Sequence, residues 1–140
     1  MRAATQQEVD AILTFAPELA SVPEARRQAH DYAASLMEPD QLANLDLALT
    51  ELVANAIRHS GSSEQILIAL TPKAGYLCVR VTDGGTGLVP RPGAMGTEPG
   101  AGYGLFLVEQ LTRRWGMTRE DGRTRVWFEL DYSADAALQS

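Results

Sequence analysis

Helical and strand-like segments share a chain with room for one core, and this predicts an α+β fold. Three observations carry the expectation. Apolar residues recur at helical spacing from Leu42 to Ala56, two β-rich runs meet at Pro72-Lys-Ala-Gly75, and two more meet at Asp121-Gly122. The 140 residues suit one ordinary domain and are too few for two, so a single unit over 1–140 is expected, with 1–10 and 133–140 fraying.

Taken in order, Ile12-Leu-Thr-Phe15 reads as an edge strand ahead of Pro17. Ser21-Val-Pro23-Glu24 opens a helix, with Ser21 or Val22 near the cap, Pro23 in the first turn and Glu24 favourable to the dipole; it should run to about Met37. Pro39-Asp40 breaks and recaps the chain. Leu42, Leu45, Leu49, Leu52, Val53 and Ala56 then form one stripe of a second helix, while Asn44, Glu51, Asn55 and Arg58 share a face rotated away from it. Residues 65–71 and 76–83 form a hairpin that places Asp83 at a strand end. Gly84 to Gly102 is too poor in large apolar residues for an element and reads as a long loop of the kind used as a lid. A third helix follows over Tyr103 to Arg114, and a closing hairpin over 115–118 and 123–130.

A formal net charge of -6 argues against affinity built on neutralising nucleic-acid phosphates or an anionic membrane, so no direct nucleic-acid or membrane partner is expected. The single cysteine, Cys78, permits no internal disulfide and no zinc cluster, and its apolar surroundings predict core filling. The first residues lack the apolar core of a signal peptide, and no apolar stretch approaches a membrane span; the cytoplasm is the expected location.

Three motifs carry chemistry. Glu51 and Asn55, one helical turn apart, can act on one bound object: Asn55 has a neutral oxygen suited to Mg2+, and Glu51 can accept a proton from an attacking hydroxyl or water. The same pair also suits a solvated helix face. Asp83, followed by Gly85 and Gly87, offers an acceptor for the exocyclic amine of adenine with glycines that let backbone approach, although Asp-Gly-Gly is also an ordinary strand exit. Gly100, Gly102 and Gly104 lead into a helix whose free N–H groups can meet phosphate, or serve as a hinge without ligand. Neither the Walker loop nor the dinucleotide fingerprint is present.

In this order the motifs resemble the N, G1 and G2 boxes of the ATPase superfamily that includes gyrase, MutL proteins and sensor histidine kinases (GHKL), over roughly Leu42 to Trp115. The opening Ser21-Val-Pro-Glu-Ala-Arg-Arg27, the stretch Leu49-Thr-Glu-Leu-Val-Ala-Asn-Ala-Ile-Arg-His-Ser60 and Gly102-Tyr-Gly-Leu-Phe-Leu-Val-Glu-Gln-Leu are most similar to bacterial anti-sigma-factor serine/threonine kinases. The resemblance implies a two-layer sandwich of the Bergerat type: a mostly antiparallel mixed sheet with helices on one face, and ATP held between the second helix, the lid and the last helix. It implies Glu51 as general base, Asn55 as magnesium ligand and Asp83 as adenine reader. Gly85, Gly87, Leu88, Gly100, Gly102, Tyr103, Gly104 and Leu105 would line the pocket. His59 ends the N box and suits either phosphate or the helix end; Arg58 suits phosphate or solvent. The implied cofactors are ATP and Mg2+. The implied partners are a sigma factor and a STAS-type anti-sigma-factor antagonist, with the protein a homodimer. Gyrase-like strand passage is disfavoured, because the one lysine, Lys73, falls in a hairpin turn. An alternative is a non-catalytic ATP-binding module that sequesters a protein partner.

Overall fold

The computed structural model describes residues 10–59, 64–83, 101–120 and 122–133; at His59, residues 101–105 and Glu120 it describes the backbone alone. Of the loop expected over 84–102, residues 84–100 lie outside these residues, as do most of both predicted frayed ends. The elements are β1 (Ala11–Phe15), α1 (Ser21–Ala33), α2 (Pro39–His59), β2 (Ile66–Pro72), β3 (Tyr76–Asp83), α3 (Ala101–Leu111), β4 (Arg114–Glu120) and β5 (Arg123–Asp131). The strands form one sheet in the order β1-β2-β3-β5-β4, with every described pairing antiparallel.

Strand register explains which face is covered. Leu70 faces Val79, Ile68 faces Val81, Val79 faces Phe128 and Val81 faces Val126, so the apolar alternation of three strands lines up on one side. These residues are buried with Leu45, Leu49, Leu52 and Val53 of α2 and with Ala25, Ala29 and Ala33 of α1. The alanine row lets α1 lie close to α2, and α3 adds the fully buried Val108. The result is a two-layer α+β sandwich with its helices on one face.

The element bounds differ from the sequence expectation where local chemistry intervenes. α1 stops at Ala33, not near Met37: Leu36 and Met37 both donate N–H groups to the Ala33 carbonyl, closing a tight turn before Glu38-Pro39. A residue preceding proline is disfavoured in helical backbone, so the chain has to turn there. No side chain caps α1; its cap position is Ala20, whereas Ser21 is already helical. α3 begins at Ala101, two residues earlier than the periodicity indicated, and ends at Leu111. Beyond it the Arg113 N–H turns to the Glu129 carbonyl at 2.9 Å and joins the sheet. Both hairpin glycines have positive φ, Gly75 at 92° and Gly122 at 77°, which explains glycine at those turns.

Cys78 departs from its expected place in the core. It faces Thr71 and Glu129 on the sheet side away from the helices and is half-buried; burial is the main cause that pushes its thiol pKa above the ordinary value. On that same side Arg113 and Arg114 converge on Glu129. Arg113 also reaches Asp131 at 3.2 Å and stacks over Tyr76 at 4.7 Å, fastening β4 to the centre of the sheet.

Two contacts set the direction of α2. Gln41 Nε2 donates to the Asp131 carbonyl at 2.7 Å, and the Glu38 N–H donates to the Tyr132 carbonyl at 2.9 Å. The start of α2 is therefore tied to the C-terminal end of β5. At 1.5 Å per residue a helix of this length runs about 31 Å, enough to cross the sheet and deliver its last turns to the opposite end. β3 runs antiparallel to β5, and its terminal Asp83 pairs with Thr124 near the beginning of β5. Asp83 thus lies at the sheet end that receives the C-terminal half of α2.

Candidate nucleotide site at the C-terminal half of helix α2

The leucine stripe of α2 fixes its rotation, and this determines what happens to the polar row. Leu45, Leu49, Leu52 and Val53 are each no more than 1% exposed, so the row beginning at Asn44 is turned to the flank of the helix. Glu51 is half-buried there and makes no hydrogen bond or ion pair with other described residues. A carboxylate held on a packed helix without a cation beside it keeps its oxygens available as proton acceptors.

Asn55, one turn further on, is 2% exposed. Its Oδ1 accepts a hydrogen bond of 2.7 Å from Arg58 Nη2, while its Nδ2 is buried without a partner among the described residues. An unmet buried donor costs about 1–3 kcal/mol. A solvated helix face, the alternative reading of this pair, does not bury a carboxamide in this way. Thr50 Oγ1, on the same helix, is also buried without a partner.

Asp83 is 5% exposed and lies on the helix-covered face, two residues beyond Val81. It is not an exposed turn residue. Its cross-strand neighbour Thr124 is 4% exposed and accepts a hydrogen bond from Arg119 Nη1 at 3.1 Å. The floor at this end of the sheet is therefore polar and buried, whereas the centre of that face is apolar. Sequence reading missed Thr124, whose position opposite Asp83 becomes visible only once β3 and β5 are paired.

Of the other predicted site residues, Gly85, Gly87, Leu88 and Gly100 lie outside the described residues. Gly102, Tyr103, Gly104 and Leu105 fall in the first turns of α3, which packs against α2. His59 is the last residue of α2. The structure brings Glu51, Asn55 and Arg58 onto one flank of α2 and Asp83 onto the sheet end that flank reaches.

The donor chemistry fits Mg-nucleotide. Asn55 supplies one neutral oxygen, fewer ligands than a self-contained protein site needs, and magnesium usually completes its shell from phosphates and waters. The buried, unmet donor of Asn55 shows a carboxamide whose hydrogen bonding is incomplete in the protein alone.

Comparison with known proteins supplies the family. Residues 15–130 match the histidine kinase-like ATPase domain model. This chain belongs to that family. No curated protein sequence matches it. Among solved structures, it is similar to the RsbU and RsbW domains of Rv1364c from Mycobacterium tuberculosis, with a TM-score of 0.69 and 18% identity, over 88% of this chain and 32% of that one. It is also similar to the Acinetobacter baumannii histidine kinase AdeS, with a TM-score of 0.54 and 14% identity, over 92% of this chain and 71% of that one. The chain thus spans about a third of the length of the first of these structures, and at such identities the likeness is one of fold. Family membership supports nucleotide binding and a general kinase or ATPase activity. No described helix is long and apolar enough to cross a membrane.

Proposed function

We propose that this protein binds Mg-ATP between α2, the Asp83 end of the sheet and the start of α3, and transfers the terminal phosphate to a serine or threonine of a small protein partner. The observation that supports this reading most strongly is the flank of α2. There Asn55 is buried with a donor unmet, one turn beyond a Glu51 that has no cation partner among the described residues. In this reading Asp83 accepts the exocyclic amine of adenine on the buried floor, and the first turns of α3 offer N–H groups to the phosphates. Gly85, Gly87, Leu88, Gly100, Gly102, Tyr103, Gly104 and Leu105 complete the pocket, and His59 closes the end of α2. Asn55 holds the magnesium ion, whose charge, when bound, offsets that developing on the phosphates.

Glu51 then takes the proton of the attacking hydroxyl. The hydroxyl oxygen forms a bond to the terminal phosphorus as the bond from that phosphorus to the oxygen bridging to ADP breaks, and the proton ends on the carboxylate. We further propose that the acceptor is a STAS-type anti-sigma-factor antagonist, that the protein also sequesters a sigma factor, and that it does so as a cytoplasmic homodimer. The supporting points are the sequence resemblance to anti-sigma-factor kinases and the shared fold with the RsbU and RsbW domain structure.

The test is incubation with a cognate antagonist and ATP, read by intact mass. Addition of one phosphate that disappears with Glu51→Ala is the expected result. Mg-ATP binding that alters partner affinity while every partner stays unmodified would replace the kinase by the non-catalytic sequestering module.

A further inference from the structure

The contact between Arg58 and Asn55 conflicts with the role proposed for Asn55. An amide oxygen that is to meet a divalent cation already accepts from a guanidinium at 2.7 Å. Guanidinium is permanently charged, so it and a divalent ion repel each other around the same oxygen. The contact also fixes how the carboxamide lies. Reversing the amide would point its two N–H donors at the donors of Arg58, so Oδ1 stays towards the arginine and Nδ2 stays buried and unmet. Arg58 itself is exposed, on the last turn of α2, and its long side chain is free to swing. Polyphosphate is the ligand chemistry that would draw it away, since guanidinium binds phosphate oxygens in a bidentate manner.

We propose that Arg58 is a positioning residue that latches Asn55 in the nucleotide-free protein and releases it only when a polyphosphate takes the guanidinium. Nucleotide and divalent cation are then loaded together, and the free protein discriminates against the cation alone. The proposal rests on the nucleotide-site reading given above. By linkage, whatever factor nucleotide adds to cation affinity, the cation adds to nucleotide affinity. Arg58 contributes part of that factor by holding the amide oxygen closed in the empty state. The orphaned Nδ2 makes this closed state readable, because the carboxamide changes its surroundings whenever the guanidinium leaves.

The test compares the wild type with Arg58→Ala and Arg58→Lys. Manganese binding to the nucleotide-free proteins is measured by electron paramagnetic resonance, ATP binding with and without magnesium by calorimetry, and the Asn55 side-chain NH2 signal by NMR. Arg58→Ala is expected to reduce the magnesium enhancement of ATP affinity about tenfold, and to bind manganese without nucleotide more tightly than the wild type but still weakly, since one amide oxygen is an incomplete metal site. Its Asn55 NH2 signal should shift before any ligand is added. Arg58→Lys, which keeps the charge, should lie between the two. Unchanged manganese affinity together with an unmoved Asn55 signal in a folded Arg58→Ala overturns the latch. The nucleotide-free arms decide this even if no protein binds ATP, an outcome that would instead overturn the nucleotide-site reading.

Discussion

At the scale of single residues, the proposed site rests on two carboxylates in different settings. Asp83 is buried on the floor of the sheet, and Asp83→Asn should lower ATP affinity at least tenfold, because the amide turns a donor toward the adenine amine. Glu51 is half-buried on a helix flank, so Glu51→Gln should keep the melting temperature and the ATP affinity within a fewfold. It should reduce phosphate transfer by 10²-fold or more, the usual contribution of a positioned general base. Comparing the binding and transfer of these two variants separates recognition from chemistry. Both residues are legible as candidates in the sequence because acid-amide spacing on a helix and an acid at a strand end are local patterns. The Arg58 to Asn55 hydrogen bond is not: i,i+3 spacing permits that contact, but equally permits an arginine in solvent, and the burial of Asn55 decides between them.

Among the elements, β3 is placed by the sequence with its observed bounds, because alternation and a glycine turn specify it from both sides. The helix ends were less legible. α1 lost its predicted last turn to backbone bonds at Ala33, and α3 took in Ala101 and Gly102, although the low helix propensity of glycine argues against a start there. Cys78 moved to the opposite side of the sheet from the expected core, since alternation fixes two faces but does not say which one the helices cover. Strand pairing also creates a packing constraint that composition does not reveal. A Cβ on Gly116 would meet Trp127 Cζ2 at 2.7 Å across the β4–β5 pair, a clash with a rigid indole. Gly116→Ala should therefore destabilise the protein by about 1–3 kcal/mol in denaturant unfolding. Phe128, fully buried at the centre of the sheet, should cost about 3–5 kcal/mol on truncation to alanine.

Across the whole molecule, α2 links one end of the sheet, where it is tied to β5, to the other end, where Asp83 closes β3. The tie that anchors α2 and the candidate site thus lie at opposite ends of one helix. The phenols of Tyr32 and Tyr132 and the Cys78 thiol all have pKa values raised chiefly by burial, so the folded protein holds these protons more tightly than the unfolded chain. Their neutral forms contribute fully below the unfolded values and the contribution is lost as pH rises. Stability should therefore fall from roughly pH 8.5 through 10 and above, which chemical denaturation across that range will check. The central claim, that the Asp83 end of the sheet and the flank of α2 form an adenine nucleotide site, is tested most directly by calorimetric titration with ATP and GTP, with and without magnesium, in the wild type and in Asp83→Asn. Magnesium-dependent binding that favours ATP and collapses in the variant is the predicted result. Absence of binding for either nucleotide, or equal affinity for ATP and GTP that survives Asp83→Asn, would contradict it.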